Sequence, residues 1–263
     1  MLIDLHSHIL PGIDDGPGSE DESLAMAEAY VKAGFTNVAA TPHAIPGTAW
    51  MSRPEVVYEK VDALNRRLEN EGVGLKIYPG MEIALDADLC RLMDEKRIIS
   101  IADGPFVLIE LPFQRLPLGW EQVFFEVQSR GYQVLVAHPE RCEQMMAHPG
   151  LYEKLAKAGA WFQCNYDAFL GAYGPGPEEA ASYLAQNGMV HCLATDSHNA
   201  ADRGPGSISE AITVLKNRIG GENLRLLAYE NPDRVLAGRR LLSPAPVGRP
   251  KNGKRKKPAW LPW

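Results

Sequence analysis

The first eight residues contain an Asp-x-His-x-His pattern, formed by Asp4, His6 and His8 at the end of a short apolar segment. Alternate residues of a strand share one face, so these three side chains are expected to point the same way. Two imidazoles and a carboxylate on one face suit a divalent metal such as zinc, manganese or iron. Taken alone, the pattern leaves two alternatives open, a metal site or histidines with a structural role.

More histidines and carboxylates follow later apolar segments, and together with the first two histidines they give nine candidate metal ligands. These are His6, His8, Asp15, His43, Glu82, Glu110, His138, Asp196 and His198. Five histidines and four carboxylates are too many for one ion, so they predict a cluster of two or three ions. A nitrogen and oxygen set without cysteine favours manganese, iron or zinc over calcium or magnesium. Clustered ions of this kind are typical of phosphoester hydrolysis, because they activate water and stabilise the attacking and leaving oxygens.

Two arginines stand close to these ligands in sequence. Arg141 lies three residues after His138, and Arg203 lies five residues after His198. Guanidinium groups bind phosphate in a bidentate manner, so both are predicted to hold a phosphate, the alternative being ordinary surface arginines. We also expect Asp196 to assist catalysis besides binding metal.

A cysteine-dependent phosphatase mechanism has no support in the sequence. Such an enzyme needs an arginine shortly after its thiolate, and the residues six positions after the four cysteines are Lys96, His148, Leu170 and His198. The two histidines outside the candidate set, His148 and His191, are interpreted as structural. One lies in a loop and the other at the wrong end of its strand.

The candidate ligands must be positioned by a repeating strand and helix pattern. After the opening strand, the predicted strands are Thr36–Thr41, Leu75–Met81, Phe106–Ile109, Gln133–Ala137, Ala160–Cys164 and His191–Thr195. Each is followed by a helix or a long crossover, and capping boxes at Ser19 and Ser52 mark two helix starts. This pattern predicts an α/β fold, a distorted (β/α)7 barrel of the TIM type with its active site at the carboxyl ends of the strands. An open doubly wound sheet is the alternative.

The overall composition restricts the class of protein. The chain has 263 residues, of which 45% are hydrophobic and 23% charged, as expected for a globular enzyme. The net charge of −6 argues against nucleic acid as a partner. We expect no signal peptide and no stable membrane insertion, a cytoplasmic location, and four free thiols. Residues 1–241 are predicted to form the phosphatase domain and residues 242–263 a basic, proline-rich and flexible tail, with a docking tail as the alternative.

Several short motifs together resemble one known superfamily. They are Asp4-Leu5-His6-Ser7-His8, Asp14-Asp15-Gly16-Pro17, Ala40-Thr41-Pro42-His43, Gly80-Met81-Glu82, Ile109-Glu110-Leu111-Pro112, Ala137-His138-Pro139-Glu140-Arg141 and Thr195-Asp196-Ser197-His198-Asn199. This set resembles the polymerase-and-histidinol-phosphatase (PHP) superfamily. Within that superfamily it is most similar to the bacterial metal-dependent protein-tyrosine phosphatases of capsule and exopolysaccharide synthesis.

The resemblance implies a distorted seven-unit barrel with three metals, usually manganese in vitro, with iron, zinc or cobalt as alternatives. It implies one metal at His6, His8, Glu82 and Asp196, a second at Glu82, Glu110 and His138, and a third at Asp15, His43 and His198. Arg141 and Arg203 match the arginines that bind phosphate in that family. Because enough other ligands are present, Asp4 is expected to orient a histidine without binding metal itself.

The implied substrate is a phosphotyrosine protein, and the expected partner is the C-terminal tail of a bacterial tyrosine kinase; an oligomer is left open. Two departures concern the substrate. Cys142 stands where an aromatic residue is expected, and residues 44–52 are mostly apolar where basic residues are frequent. Two alternatives are a small-molecule phosphatase, acting on histidinol phosphate or a nucleotide, and a non-catalytic scaffold that has kept the fold.

Overall fold

The structure, a computed structural model, describes residues 1–247, so most of the predicted basic tail, residues 248–263, lies outside the described residues. The strands are β1 (Leu2–Ser7), β2 (Phe35–Ala40), β3 (His43–Ala44), β4 (Lys76–Pro79), β5 (Glu82–Ala84), β6 (Phe106–Glu110), β7 (Gln133–Ala137), β8 (Trp161–Asn165) and β9 (Cys192–Ala194). The helices are α1 (Glu20–Lys32), α2 (Pro54–Asn70), α3 (Leu89–Asp94), α4 (Trp120–Ser129), α5 (Glu143–Ala147), α6 (Gly150–Lys157), α7 (Pro175–Gln186), α8 (Ile208–Arg225) and α9 (Asn231–Leu236).

All paired strands run parallel, in two sheets. One sheet has the order β1-β2-β4, and the other has the order β3-β5-β6-β7-β8-β9. The sheets meet beyond the end of β1, where the N–H of Asp196 donates to the carbonyl of His6 at 3.0 Å and the N–H of His8 donates to that of Ser197 at 2.9 Å. The predicted α/β fold of parallel strands is therefore confirmed, and each of the seven predicted strands is present.

Two short strands were not predicted, and both continue an earlier strand after a break. β3 begins just after Pro42, and β5 begins just after Gly80 and Met81. Proline has no N–H to donate to a strand ladder, so the pairing of β2 is interrupted at Pro42. At Gly80 an added Cβ would lie 3.2 Å from the Thr41 side chain, which indicates a close approach of the two chains. These breaks place His43 and Glu82 opposite each other in the register of β3 and β5.

The central strands are buried on both faces. In β6, Phe106 and Leu108 pack into a smaller core cluster with residues of β1 and β7, while Val107 and Ile109 pack into the large cluster that includes the helices. This division follows the two-residue period of a strand, and it explains why the strand sequence is continuously apolar. The two apolar clusters thus hold these strands in place on both of their faces.

Of the two helix starts that the sequence predicted from capping residues, the structure confirms one. The hydroxyl of Ser19 accepts the N–H of Glu22 at 3.3 Å, so the predicted cap of α1 is confirmed. The predicted cap at Ser52 is wrong, because α2 begins at Pro54 after Arg53, which makes no side-chain cap hydrogen bond. Proline favours the first helical position, and this preference sets the start there. Helices α5, α6 and α7 were not predicted.

The first residues of the predicted tail are held against the helices. The N–H groups of Leu242 and Ala245 donate to the side chains of Asn231 and Asn223 at 2.9 and 3.1 Å, and that of Val247 donates to the carbonyl of Gln186 at 3.0 Å. The domain boundary at residue 241 stays a prediction. All four cysteines are free and buried. Across residues 1–247, no helix combines the length and apolar character needed to cross a membrane.

The structural interpretation of His191 leads to a prediction about stability. Its imidazole is 7% exposed, and its Nδ1 accepts the N–H of Phe162 at 3.1 Å. Burial lowers the pKa of His191 from 6.5 to about 4, so between these values the unfolded chain binds the proton and the folded chain does not. Stability that is present above pH 6.5 is therefore lost as the pH falls towards 4.

We expect His191→Asn, whose amide oxygen can accept the same hydrogen bond, to reduce this loss. Between pH 7 and pH 5 the free energy of unfolding of the unsubstituted protein should fall by about 2 kcal/mol more than that of the variant. Urea unfolding at both pH values, with metal removed from both proteins, measures the difference. Equal losses would show that His191 is not buried in its neutral form.

Candidate metal centre

The nine predicted ligands come together at the carboxyl ends of the strands. The contributions are His6 and His8 from the end of β1, Asp15 from the loop after it, His43 from β3, Glu82 from β5, Glu110 from β6, His138 after β7, and Asp196 and His198 after β9. They form four overlapping groups in which the possible ligand atoms all lie within 4.8 Å of one another. The groups are His8-Asp15-His43-His198, His6-His138-Asp196, His6-His8-Glu82 and His43-Glu82-Glu110.

The carboxylate of Glu82 is at the centre of the cluster and is 1% exposed. Its Oε1 lies 2.9 Å from His138 Nε2 and 3.2 Å from His6 Nε2. Its Oε2 lies 2.9 Å from His43 Nδ1 and 3.5 Å from His8 Nε2. Burial alone would raise the pKa of Glu82, but the surrounding imidazoles outweigh it and hold the pKa well below its usual range. The group is therefore a carboxylate anion facing four nitrogens.

Asp196, which follows β9, is a second carboxylate beside His6 and His8. Its Oδ1 lies 3.4 Å from the Nε2 atoms of both His6 and His8, and its Oδ2 accepts from Asn165 Nδ2 at 3.0 Å. Burial would lower the pKa of His6, yet the carboxylates of Glu82 and Asp196 raise it to about 9. Without a cation, His6 therefore holds a proton whose charge balances the buried carboxylates beside it.

Two ligand positions have a left-handed backbone. His138 has φ 28° and Asp196 has φ 54°, a region that residues other than glycine rarely occupy. Each such residue costs about 1–3 kcal/mol and is retained where the surrounding structure holds it in place. His138 directly follows β7, and Asp196 comes two residues after the end of β9. The left-handed backbone at each position changes the direction in which its side chain points. Strain of this kind is typical of functional sites.

Several buried atoms of the candidate ligands make no hydrogen bond within the described residues, although each lies within 3.5 Å of another imidazole or carboxylate atom of the cluster. They are His6 Nε2, His8 Nε2, His43 Nδ1, Glu82 Oε2 and His198 Nε2. A buried polar atom without a hydrogen bond costs about 1–3 kcal/mol, so five such atoms in one place indicate a binding site for a further group. Imidazole nitrogens with carboxylate oxygens and no sulfur suit manganese, iron or zinc. The residues present therefore fit a cluster of divalent cations.

The surroundings of His198 favour the neutral imidazole that can bind a cation. Its Nδ1 lies 2.9 Å from the carbonyl oxygen of Asp196, an acceptor, so this nitrogen carries the proton. Burial, followed by the positive charge of His8, lowers the pKa of His198 to about 4. The ring is therefore neutral, and its Nε2 offers a lone pair at 3.2 Å from Asp15 Oδ1.

Two further side chains orient the ligands of β1, and the sequence analysis did not assign them. Asp14 Oδ2 lies 2.7 Å from His8 Nδ1 and also accepts the N–H of His43 at 3.0 Å. Gln163 Oε1 lies 3.0 Å from His6 Nδ1. Both contacts fix the ring so that Nε2 points into the cluster, as is usual for histidines that bind metal. The polar Gln163 in an apolar strand was a signal that could have identified it.

Asp4 lies in none of the four groups. Its carboxylate accepts the N–H of His6 at 3.0 Å, the hydroxyl of Tyr30 at 3.0 Å and that of Thr195 at 2.5 Å. Burial raises the pKa of Asp4 to about 6, despite these hydrogen bonds. The expectation that Asp4 orients a histidine therefore needs a correction, because it holds the backbone of His6 and not the ring.

Both predicted arginines border the cluster. Arg141 Nη1 donates to Asp196 Oδ2 at 2.9 Å, and its guanidinium lies 4.6 Å from the ring centroids of both Phe113 and Tyr173. Arg203 is half-exposed, and its Nη1 lies 3.3 Å from an oxygen of Asp15. The two guanidinium groups therefore contact different carboxylates of the cluster, Asp196 and Asp15.

Comparison with known proteins shows the family to which this chain belongs. The sequence model of the family described as capsular polysaccharide synthesis, CpsB/CapC, matches residues 2–237. The tyrosine-protein phosphatase YwqE of Bacillus subtilis (strain 168) is 34% identical over 252 residues, covering 95% of this chain and 98% of that protein. The tyrosine-protein phosphatase CpsB of Streptococcus agalactiae serotype III (strain NEM316) is 25% identical over 243 residues, covering 89% and 98%.

Solved structures agree with the sequence comparison. A crystal structure from work on YwqE of Bacillus subtilis and CpsB of Streptococcus pneumoniae, described as unique metal-dependent tyrosine phosphatases, superposes with a TM-score of 0.86 at 34% identity. It covers 94% of this chain and 100% of that chain. Histidinol phosphate phosphatase from Lactococcus lactis, complexed with zinc, L-histidinol and phosphate, has a TM-score of 0.54 at 15% identity, covering 82% and 93%, which shows a likeness of fold alone. The predicted resemblance is thus confirmed, and the chain belongs to the CpsB/CapC family of capsular polysaccharide synthesis proteins.

Proposed function

We propose that this chain is a metal-dependent phosphatase that hydrolyses phosphotyrosine in proteins. The observation that carries the proposal is the largely buried cluster of nine candidate ligands, bordered by Arg141 and Arg203. The relatives named tyrosine-protein phosphatases support it, since they align with this chain over nearly their whole length. A bacterial tyrosine kinase with a tyrosine-rich C-terminal tail is the proposed substrate, and a cytoplasmic location remains a prediction.

The proposed cofactors are two to three divalent ions, with manganese first and iron, zinc or cobalt as alternatives. The proposed ligand sets are His6, His8, Glu82 and Asp196 for one ion, Glu82, Glu110 and His138 for a second, and Asp15, His43 and His198 for a third. When bound, such ions supply positive charge to the phosphoryl oxygens and lower the pKa of a water near phosphorus towards neutrality. The central position of Glu82 between four imidazoles supports its role as the ligand shared by two ions.

The chain's own residues are proposed to bind and orient the phosphate. Arg141 is held between two aromatic rings and by Asp196, so its donors are fixed before the substrate arrives. Arg203 is more exposed and reaches the phosphate from the side of Asp15. The pKa of Asp196, which burial alone would raise, is held below its usual range by the charge of His6, so this carboxylate is ionised. We therefore assign Asp196 to metal binding and to positioning Arg141; phenolate leaves without a strong acid.

A small-molecule phosphatase acting on histidinol phosphate or a nucleotide is the alternative, because the same cluster would serve it. The edge of the site favours a larger substrate. Arg203, Trp50 and Phe113 are all more than one third exposed there, as an open site for a peptide requires. Rates on a phosphotyrosine peptide and on histidinol phosphate separate the two, and a strong preference for the metabolite would contradict the proposal.

Removal of metal should abolish the activity. We expect protein treated with a chelator and then dialysed to lose hydrolysis of a phosphotyrosine peptide, because the imidazoles and carboxylates then neutralise one another. Manganese should restore the activity, and calcium should not, since the site offers nitrogen ligands. Full activity of protein shown by elemental analysis to be metal-free would refute metal dependence.

The two arginines should be needed for phosphate binding. We expect Arg141→Lys to lower kcat/KM for the peptide by about 10- to 100-fold, since a charge-assisted hydrogen bond contributes about 1.5–3 kcal/mol. Arg203→Lys should have a smaller effect because its side chain is 54% exposed. Arg130→Lys, whose arginine pairs with Asp94 on the outer surface, is the matched control. Unchanged kinetics in Arg141→Lys would remove that residue from the phosphate site.

Asp14 should act through His8. We expect Asp14→Asn to weaken manganese binding about 10- to 100-fold, because a carboxylate that accepts from an imidazole orients it and strengthens it as a ligand. Isothermal calorimetry measures the affinity, and Asp21→Asn, at an exposed carboxylate paired with Arg67, is the control. Identical manganese affinity in Asp14→Asn and the control would mean that the contact with His8 has no role in metal binding.

A further inference from the structure

Two large aromatic side chains are exposed at the edge of the cluster. Trp50 is 37% exposed, and Phe113 is 39% exposed. Trp50 stacks on His43 with ring centroids 5.0 Å apart and planes 14° apart. Phe113 stacks on His138 at 5.8 Å and 24°. We call these two side chains the aromatic rim.

The two members of the aromatic rim flank the cluster on different sides. His43 Nδ1 approaches Oε2 of Glu82, whereas His138 Nε2 approaches Oε1 of the same carboxylate. The rings that cover these imidazoles are therefore on either side of the central carboxylate. An exposed aromatic ring does not gain the free energy that burial of its apolar surface would give. Two such rings beside one polar site therefore indicate a ligand with an apolar part.

We infer that Trp50 and Phe113 select aryl over alkyl phosphate monoesters by contacting the phenyl ring of the substrate. This inference rests on the proposed function and adds the residues that give the site its preference for phosphotyrosine. In phosphotyrosine the phenyl ring is bonded directly to the ester oxygen, so a phosphate bound at the cluster carries its ring to the edge of the site. A phosphoserine side chain has no such ring.

The surroundings of Phe113 place it within reach of that ring. Its own ring lies 4.6 Å from the guanidinium of Arg141, which is proposed to bind the phosphate. Aromatic rings attract one another at centroid distances of about 4.5–7 Å, so a phenyl group next to a phosphate on Arg141 falls in this range. Tyr173 also lies 4.6 Å from the same guanidinium, but of the two rings Phe113 is the one that is 39% exposed.

The surroundings of Trp50 point to the same ligand. Its segment, residues 44–52, contains no lysine or arginine, so the turn itself carries no positive charge for acidic groups of a peptide. The N–H of Trp50 donates to Thr48 Oγ1 at 3.1 Å, and the Thr48 hydroxyl donates to the carbonyl of Ile45 at 2.9 Å. The turn is thus held locally and presents a flat apolar face.

The test compares Trp50→Leu, Phe113→Leu and the double variant, which keep apolar cover but lose the flat ring. Phe125→Leu, at an aromatic residue that is 65% exposed on α4, is the matched control. Two peptides of one sequence, carrying phosphotyrosine or phosphoserine, report kcat/KM. Calorimetry reports binding of a non-hydrolysable phosphonomethyl-phenylalanine peptide and of inorganic phosphate, and elemental analysis reports bound manganese.

We expect each rim substitution to lower kcat/KM for the phosphotyrosine peptide and the affinity for the phosphonate peptide roughly three- to tenfold. In Trp50→Leu the phosphoserine rate, the affinity for inorganic phosphate and the manganese content should stay unchanged, and so should every value in Phe125→Leu. Phe113 also packs on Arg141, so Phe113→Leu is judged by the ratio of the phosphotyrosine rate to the phosphoserine rate, which should fall roughly three- to tenfold. Trp50→Phe and Phe113→Tyr keep a ring and should retain most of the preference.

Equal losses for both peptides and for inorganic phosphate would overturn the inference, because the rim would then only protect the metal ligands. An unchanged ratio of the two rates in the double variant would overturn it as well. Neither result contradicts the proposed function. That function would be contradicted if the unsubstituted, manganese-loaded protein did not hydrolyse the phosphotyrosine peptide.

Discussion

The buried carboxylate of Glu82 is the constraint on which the rest of the site depends. A buried anion must be paired, because leaving water costs several kcal/mol. Glu82 meets this requirement with four imidazole nitrogens at 2.9–3.5 Å, which come from β1, β3 and the residues that follow β1 and β7. Those strand ends must therefore meet at one point, and the parallel strand order brings them there. If divalent cations replace the protons on these side chains, the cluster offers the positive charge that a phosphoryl group requires.

The side chains behind the cluster give it a defined geometry. Asp14 and Gln163 fix the rings of His8 and His6, and Asn165 holds an oxygen of Asp196. The left-handed backbone at His138 and Asp196 aims two ligands inward at a cost in stability. A structure that retains strain and unpartnered nitrogens in its interior has stability to gain from bound cations.

The sequence predicted that the nine candidate ligands lie together, because the rule behind this prediction is simple. Parallel strands present their carboxyl ends at one edge, so a histidine or carboxylate such as Glu110 at a strand end already has a known direction. The breaks that create β3 and β5 were not predictable from apolar pattern alone, since they depend on how Pro42 and Gly80 fit against neighbouring chains. Asp14 was recognised as part of a motif but was given no role, because that role depends on one hydrogen bond to His8. Trp50 and Phe113 were not assigned to the site because loops bring them there.

We propose that the nine clustered side chains hold two or three metal ions around Glu82. Anomalous scattering from crystals of the manganese-loaded protein, measured near the manganese absorption edge, locates such ions. We expect two or three anomalous peaks among these side chains, with two of them in contact with Glu82. Peaks at other places on the protein, or none within the cluster at saturating manganese, would contradict it.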